Sequence, residues 1–190
     1  MNNFSDHTHV QHVSGSDWAQ HCPRCGSRLE NRYIEAEQHI RKICSDCGYI
    51  FYLNPKVVVG TIPRQGSKIW LVRRNIEPAL GSWTYPGGYV DLGETVAEAA
   101  IRETYEETKL EVKIDDLLNI YSYADSGIIV IAYRSTVVGG TAQATPESQE
   151  VRDFQLEEIP WDRLAFPSTR DALSEYVHFA KSPSLSPKHA

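Results

Sequence analysis

Three glutamates close together, Glu103, Glu106 and Glu107, are the residues of this chain with the clearest capacity for chemistry. On a helix, at about 100° per residue, Glu107 lies roughly 40° to one side of Glu103 and Glu106 roughly 60° to the other. The three carboxylates therefore share one stripe, which repels itself unless a cation sits on it. Hard divalent cations such as Mg²⁺ or Mn²⁺ take oxygen ligands, and this spacing delivers several oxygens to one point. A solvated acidic face offset by Arg102 and Lys109 is the other reading of a bare run of this kind. The second chemical set is sulfur. Cys22, Cys25, Cys44 and Cys47 form two C-x-x-C-G knuckles, use every cysteine of the chain, and have the separation of a four-thiolate Zn²⁺ site. Disulfides compete for the same residues, but the paired spacing and the lack of a secretory signal favour zinc.

The elements that must position these groups are legible nearby. Thr95 followed by Glu98 is a capping-box pair, so Thr95 is the expected N-cap of a helix running to about Thr108. Ala97, Ala100, Ile101, Thr104 and Thr108 form the stripe expected to pack on a sheet, with Glu98, Arg102 and Tyr105 outward. Upstream, Trp83-Thr-Tyr85-Pro-Gly87-Gly88 leads into the loop, where paired glycines let the backbone approach a bound metal or phosphate.

Spacing around the acids is unusually constrained: Gly88, five residues, Glu94, seven residues, Arg102-Glu103, two residues, Glu106-Glu107. This order resembles the Nudix box. Two positions depart from that pattern: Thr104 stands where the family has an aliphatic residue, and Lys109 where it has a glycine. A glycine there would end the helix in a left-handed conformation, which lysine adopts at some cost, partly offset because a cation suits a helix C-terminus. Together with the knuckles, Tyr52-x-Asn54-Pro55-Lys56, Arg74-Asn75-Ile76, Trp83 to Gly88 and Leu164-Ala-Phe166 make the chain similar to the zinc-ribbon-bearing Nudix hydrolases, which include plant chloroplast FAD and ADP-ribose pyrophosphatases. NADH pyrophosphatases share the layout, but their Ser-Gln-Pro-Trp signature is absent.

The resemblance implies an α/β (α+β) fold, an α/β/α sandwich with a mixed sheet preceded by a small zinc ribbon. It implies a Mg²⁺-dependent pyrophosphohydrolase acting on a nucleoside diphosphate linked to another group, and a homodimer. Carried over residue by residue, it implies Mg²⁺ on Glu103, Glu106, Glu107 and the Gly87 carbonyl, catalytic roles for Glu106, Arg102 and Glu150, and Zn²⁺ on the four cysteines. Glu147 is the substitute for Glu150, the two lying in the polar loop Thr145-Pro-Glu147-Ser-Gln-Glu150.

Composition bounds the rest. The 190 residues, 41% hydrophobic, suffice for one domain core plus a small appendage. A net charge of −6 argues against a general nucleic-acid binder. Arg24, Arg28, Arg32, Arg41 and Lys42 make the cysteine segment somewhat basic, but Glu30, Glu35, Glu37 and Asp46 nearly cancel them. A ribbon-directed nucleic-acid protein thus remains the alternative of another class. No run has the length of a membrane span, and a cytoplasmic location is expected.

In chain order, the expectation is a disordered tail over 1–20 carrying His7, His9 and His12, a ribbon over 21–53 with a hairpin within Arg32 to Ile43, a catalytic domain over 54–181, and a frayed tail over 182–190. Lys56 to Ile62 and Lys68 to Arg74 read as strands joined by a Pro63 to Ser67 turn. Glu111 to Tyr123, Gly127 to Val138 and Val151 to Leu156 read as further strands. Ser168 to Lys181 reads as a closing helix with Leu173, Tyr176, Val177 and Ala180 at helical spacing. Arg73 and Arg74 point to opposite faces, so one of them can reach substrate phosphate. Tyr85, Tyr121, Tyr123 and Phe166 offer flat surfaces for an adenine or flavin, and Tyr85 and Phe166 are the chosen substrate-binding pair.

Overall fold

A computed structural model describes residues 19–123 and 126–181. The histidines of the first segment and the tail over 182–190 lie outside the described residues. The chain divides into two units, the first ending at Pro55 and the second starting at Lys56.

In the small unit, β1 (Leu29–Ile34) and β2 (His39–Cys44) form an antiparallel hairpin, extended by β3 (Ile50–Phe51). Each knuckle closes on itself: Gly26 N–H donates to Cys22 O at 2.9 Å and Gly48 N–H to Cys44 O at 3.1 Å. Both glycines have positive φ, +80° and +69°, which lets the chain turn so tightly. Leu29 and Phe51 are the apolar residues packed on the sulfurs, too small a core to fold a unit of this size unaided.

The larger unit is a mixed sheet with a helix on each face. Its strands are β4 (Lys56–Gln65), β5 (Lys68–Arg74), β6 (Trp83–Thr84), β7 (Gly87–Tyr89), β8 (Leu110–Tyr123), β9 (Ile128–Gly140) and β10 (Ser148–Gln155). The order is β10-β5-β4-β9-β8, with β6 on β5 and β7 on β4. β4 and β9 run parallel and the other pairs antiparallel. Strand alternation divides the core. Val59, Ile131 and Tyr133 meet Ala99 and Ala100 of α1 (Val96–Thr108) on one face. On the other, Ile62, Ile69, Leu71, Ala132 and Phe154 meet Ala172, Leu173 and Tyr176 of α2 (Pro167–Lys181).

Two expectations are corrected. β4 continues through Pro63 to Gln65 instead of ending at Ile62, with the turn shortened to Gly66 and Ser67. Proline fits because β4 pairs with β5 only across Arg64 and Gln65, after the residue that lacks an N–H. On α2 the buried residues are Ser168, Thr169, Ala172, Leu173 and Tyr176, and Ala180 is exposed.

α1 begins as its cap requires. Thr95 Oγ1 accepts Glu98 N–H at 3.2 Å and Glu98 Oε2 accepts Thr95 N–H at 2.8 Å. Its buried residues are Ala99, Ala100, Thr104, Glu107 and Thr108, whereas Ile101 is 39% exposed. The helix is thus rotated from the apolar stripe the sequence suggests, so that Glu107 is carried inward. Thr104 explains part of this. Its hydroxyl is buried, donates to Ala100 O at 2.7 Å and lies 2.8 Å from Thr61 Oγ1 on β4, so threonine is matched by threonine on the strand beneath.

Lys109 takes the left-handed conformation, φ 61° and ψ 16°, donates its N–H to Tyr105 O, and lays its ammonium 5.0 Å from the Tyr105 ring centre. Lys109→Gly is expected to relieve this backbone and raise stability by about 0.5–1 kcal/mol, less the small cation–π contribution. Calorimetry should show Tm rising by roughly 2 °C; an unchanged or lower Tm would mean that the side chain stabilises more than the backbone loses.

Candidate active site and four-thiol centre

The site grows from the α1 N-terminal half and the loop before it. Arg102 is its central group. Its Nε and Nη2 bind both oxygens of Glu94 at 3.0 and 2.7 Å, a planar two-bond clamp. Nη1 donates to Glu103 Oε1 at 2.9 Å and to Glu106 Oε2 at 3.0 Å, and Nη2 also reaches Tyr89 O at 3.1 Å. Glu94 Oε1 further accepts Asp91 N–H at 2.8 Å. The Arg102 bonds, then the Asp91 amide, hold the Glu94 carboxyl down to about 2, while the three carboxylates push the Arg102 guanidinium pKa up.

Glycine makes room for the acids. A Cβ on Gly88 would sit 2.5 Å from the Glu103 carboxylate, closer than any side chain tolerates. Gly87 N–H donates to Glu107 Oε2 at 3.0 Å. Glu107 is 6% exposed, and burial, followed by the charges of Glu103 and Glu147, pushes its carboxyl up to about 7 despite the Gly87 amide and Arg74. Glu103 is raised as well, chiefly by burial and against the pull of Arg102. Glu106 stays outside, its side chain 55% exposed. One guanidinium therefore faces Glu94, Glu103 and Glu106, with Glu107 close behind. That excess of oxygen donors fits a hard divalent cation.

The remaining residues separate. On β10, Ser148 stands opposite Arg74 and Glu150 opposite Arg73, which are consecutive on β5 and face opposite sides. The bulge at Gln149 thus turns Glu150 to the α2 side of the sheet. Glu147 lies near the site, since the hydroxyl of the adjoining Ser148 donates to Glu107 O, and its charge raises Glu103 and Glu107. Arg74 is the arginine whose charge bears on Glu107, and its guanidinium stacks 5.1 Å from the Phe166 ring centre, with Nε donating to Pro78 O. Arg73 is occupied with Gly81 O at 3.0 Å. Tyr85 is 5% exposed and packed in the core against Gly60. Tyr121 and Tyr123 give their hydroxyls to Glu175 and Asp171 of α2. Of the four aromatics, Phe166 is the one placed beside an arginine of the site.

Sequence reasoning did not reach Asp91, Thr61, Asn75 or Ser148. The unsatisfied carbonyls that every helix end leaves are the signal pointing to Ser148; Asn75 stands in the Arg74-Asn75-Ile76 segment of the resemblance, which says nothing of its bonds to the loop.

In the small unit the four Sγ atoms lie within 4.8 Å of one another. Cys22 and Cys47 are 3.7 Å apart, and Cys25 lies 3.5 Å from Cys44 and from Cys47. A disulfide needs about 2.05 Å, whereas a tetrahedron with Zn–S of about 2.3 Å needs roughly 3.8 Å between sulfurs. Zinc fits and a disulfide does not. Ser27 amide and hydroxyl bonds hold the Cys25 thiol down to about 6. Cys47, despite a favourable Tyr49 amide, is pushed up to about 12 by burial and the other three sulfurs. A divalent cation bound by all four sulfurs would displace their protons and remove the mutual repulsion that raises Cys47.

Among the described residues no helix is long and apolar enough to cross a membrane. The NUDIX domain family matches residues 54–176, and the Nudix N-terminal family, a zinc ribbon, matches residues 20–53. The chain is similar to an ADP-ribose pyrophosphatase of Methanocaldococcus jannaschii, 39% identical over 122 residues, covering 62% of this chain and 71% of that one. It is also similar to the NAD-capped RNA hydrolase NudC of Haemophilus influenzae, 31% identical over 161 residues, 83% of this chain and 58% of that protein's length. The crystal structure of a NUDIX hydrolase from Nitrosomonas europaea superposes with a TM-score of 0.84 at 35% identity, over 90% of this chain and 96% of that one. With the box glutamates gathered on Arg102 and the knuckles closed on four sulfurs, this chain belongs to the Nudix hydrolases that carry an N-terminal zinc ribbon.

Proposed function

We propose that this chain is a Mg²⁺-dependent pyrophosphohydrolase that splits a nucleoside diphosphate linked to a second group, with ADP-ribose or FAD as the preferred type. The observation that carries the reading is the pairing of Glu103 and Glu106 with one arginine and of Glu107 with the Gly87 amide, in the box of a hydrolase family. The name of the M. jannaschii relative, ADP-ribose pyrophosphatase, supports the substrate type.

Glu103, Glu106 and Glu107, with the Gly87 carbonyl, would hold the cation, which when bound neutralises pyrophosphate oxygens and acidifies the attacking water. Arg102 fixes Glu94, Glu103 and Glu106 in place, and Arg74 faces the phosphates. Glu147 takes the proton as water oxygen attacks one phosphorus; the P–O–P bond breaks and the bridging oxygen leaves with the other phosphate. A nucleoside monophosphate and a phosphorylated partner result. Phe166, stacked with Arg74, provides the flat surface for a base. A second reading, cleavage of an NAD-type dinucleotide, is favoured by similarity to the NudC hydrolase across ribbon and catalytic domain together.

Glu106→Gln and Glu107→Gln are each expected to lower kcat by about 100-fold or more with circular dichroism unchanged, because each removes a charge from the cation site. Normal turnover in both variants would place the metal elsewhere.

In the ribbon, Cys22, Cys25, Cys44 and Cys47 are assigned to one structural Zn²⁺. Elemental analysis of protein purified without chelator should return one zinc per chain; metal-free, folded protein would contradict the assignment.

Steady-state kcat/KM for ADP-ribose, FAD, NADH and the common nucleoside triphosphates should place ADP-ribose or FAD first. A triphosphate leading by about tenfold would replace the cofactor reading with removal of damaged nucleotides, and NADH leading would establish the second reading.

A further inference from the structure

The end of α1 has donors waiting for its last carbonyls. Lys109 N–H satisfies Tyr105 O, and the carbonyls after it have no further donor within the helix. Gln143 N–H donates to Thr108 O at 2.9 Å, and the Ser148 hydroxyl donates to Glu107 O at 2.9 Å. Ser148 is 2% exposed, so this bond is closed to water. The same hydroxyl oxygen accepts Thr145 N–H at 2.9 Å and lies 3.1 Å from Thr145 Oγ1. Thr145 Oγ1 in turn accepts Glu147 N–H at 3.3 Å.

The opposite side of the loop is also held. Asn75 N–H donates to Glu147 O at 2.9 Å, and Asn75 Nδ2 donates to Pro146 O at 2.9 Å. Both main-chain polar groups of Glu147 are therefore bonded, one through the Thr145–Ser148 pair and one through Asn75. Glu147 itself remains exposed, so these backbone bonds aim a side chain whose carboxylate is free.

We infer that Ser148 and Asn75 are positioning residues, locking the loop to the end of α1 so that the Glu147 carboxylate faces the cation-binding glutamates. The inference rests on Glu147 acting as the base. A side chain aimed by its own backbone loses orientation without losing the site, so the damage falls on kcat and leaves substrate binding in place.

The test is a double-mutant cycle measured with the fastest substrate of the panel above. Glu147→Gln should lower kcat by about 100-fold, and Ser148→Ala and Asn75→Asp by about tenfold each, with KM within about threefold. Ser148→Ala placed on Glu147→Gln should cost nothing more, since its effect is already spent. If the double variant falls a further tenfold, Ser148 acts through Glu107 or the fold and the inference is overturned, while the role of Glu147 stands. Wild-type kcat in both Ser148→Ala and Asn75→Asp would also overturn it. Full activity in Glu147→Gln would instead remove the base itself, and the inference with it. Should Ser148→Ala fail to fold by circular dichroism, Asn75→Asp with Glu147→Gln completes the same cycle.

Discussion

Crowding of like charges on one turn of helix is the constraint from which the rest of the larger unit follows. Two carboxylates about 4 Å apart repel by roughly 4 kcal/mol at an effective dielectric constant near 20, and Arg102 alone contacts three of them. Two of these, Glu103 and Glu106, lie on the helix and Glu94 on the loop before it, and the cluster keeps its geometry when the backbone under it is fixed as well. Thr95 and Glu98 fix where α1 begins, Thr104 bonds Thr61 beneath it, and Gly88 removes the one Cβ that would displace Glu103. Arg102 then does more than neutralise. Its fork spends the pair of bonds with the best geometry on Glu94, which leaves Glu103, Glu106 and Glu107 with oxygens to spare.

Helix α1 shows what a sequence reveals and what it conceals. Its start, its length and the collection of acids on one stripe follow from the capping pair and from helical periodicity. Which way the helix faces does not. Counting apolar residues turns Ile101 inward, but burial of Glu107 is supported by the Gly87 amide and by Arg74, and neither is adjacent in sequence. The Gly87 amide and Arg74 offset only part of the cost of burying Glu107, so the helix faces this way against both that cost and the roughly 1–2 kcal/mol of a half-buried isoleucine, held by Ala99, Ala100 and the Thr104–Thr61 contact on the sheet.

The loop before β10 reads in sequence as a place for an acid, but where each of its two glutamates points does not follow from the sequence. Strand alternation alone puts Ser148 and Glu150 on the same side. The bulge at Gln149 separates them, and Ser-Gln-Glu carries no glycine or proline to announce it. The aromatics divide for a related reason. A tyrosine near a strand end reads alike whether it faces substrate or core, and its fate is decided by long-range partners: Gly60 for Tyr85, and Glu175 and Asp171 for Tyr121 and Tyr123. Pro63, read as a turn, sits inside β4 opposite Ser135 of β9, at a point where β5 on the other side does not pair.

The two ligand sets divide metals by chemistry. Four thiolates drawn to 3.5–3.7 Å suit a soft, tetrahedral cation and leave no coordination position for substrate. The glutamates around Arg102 are hard donors, and Glu106 stays more than half exposed, so a hard cation proposed there would keep room for water and phosphate oxygens. Neither set suits the other's metal: thiolates gain little from Mg²⁺, and an open carboxylate cluster lacks the closed geometry that makes a zinc site structural. Hydrolysis needs the open kind, because a reacting phosphorus has to share its oxygens with the cation while water arrives from another side. In the proposed reaction that water is met by Glu147, and the backbone bonds from Thr145 and Asn75 leave its carboxylate free for that role.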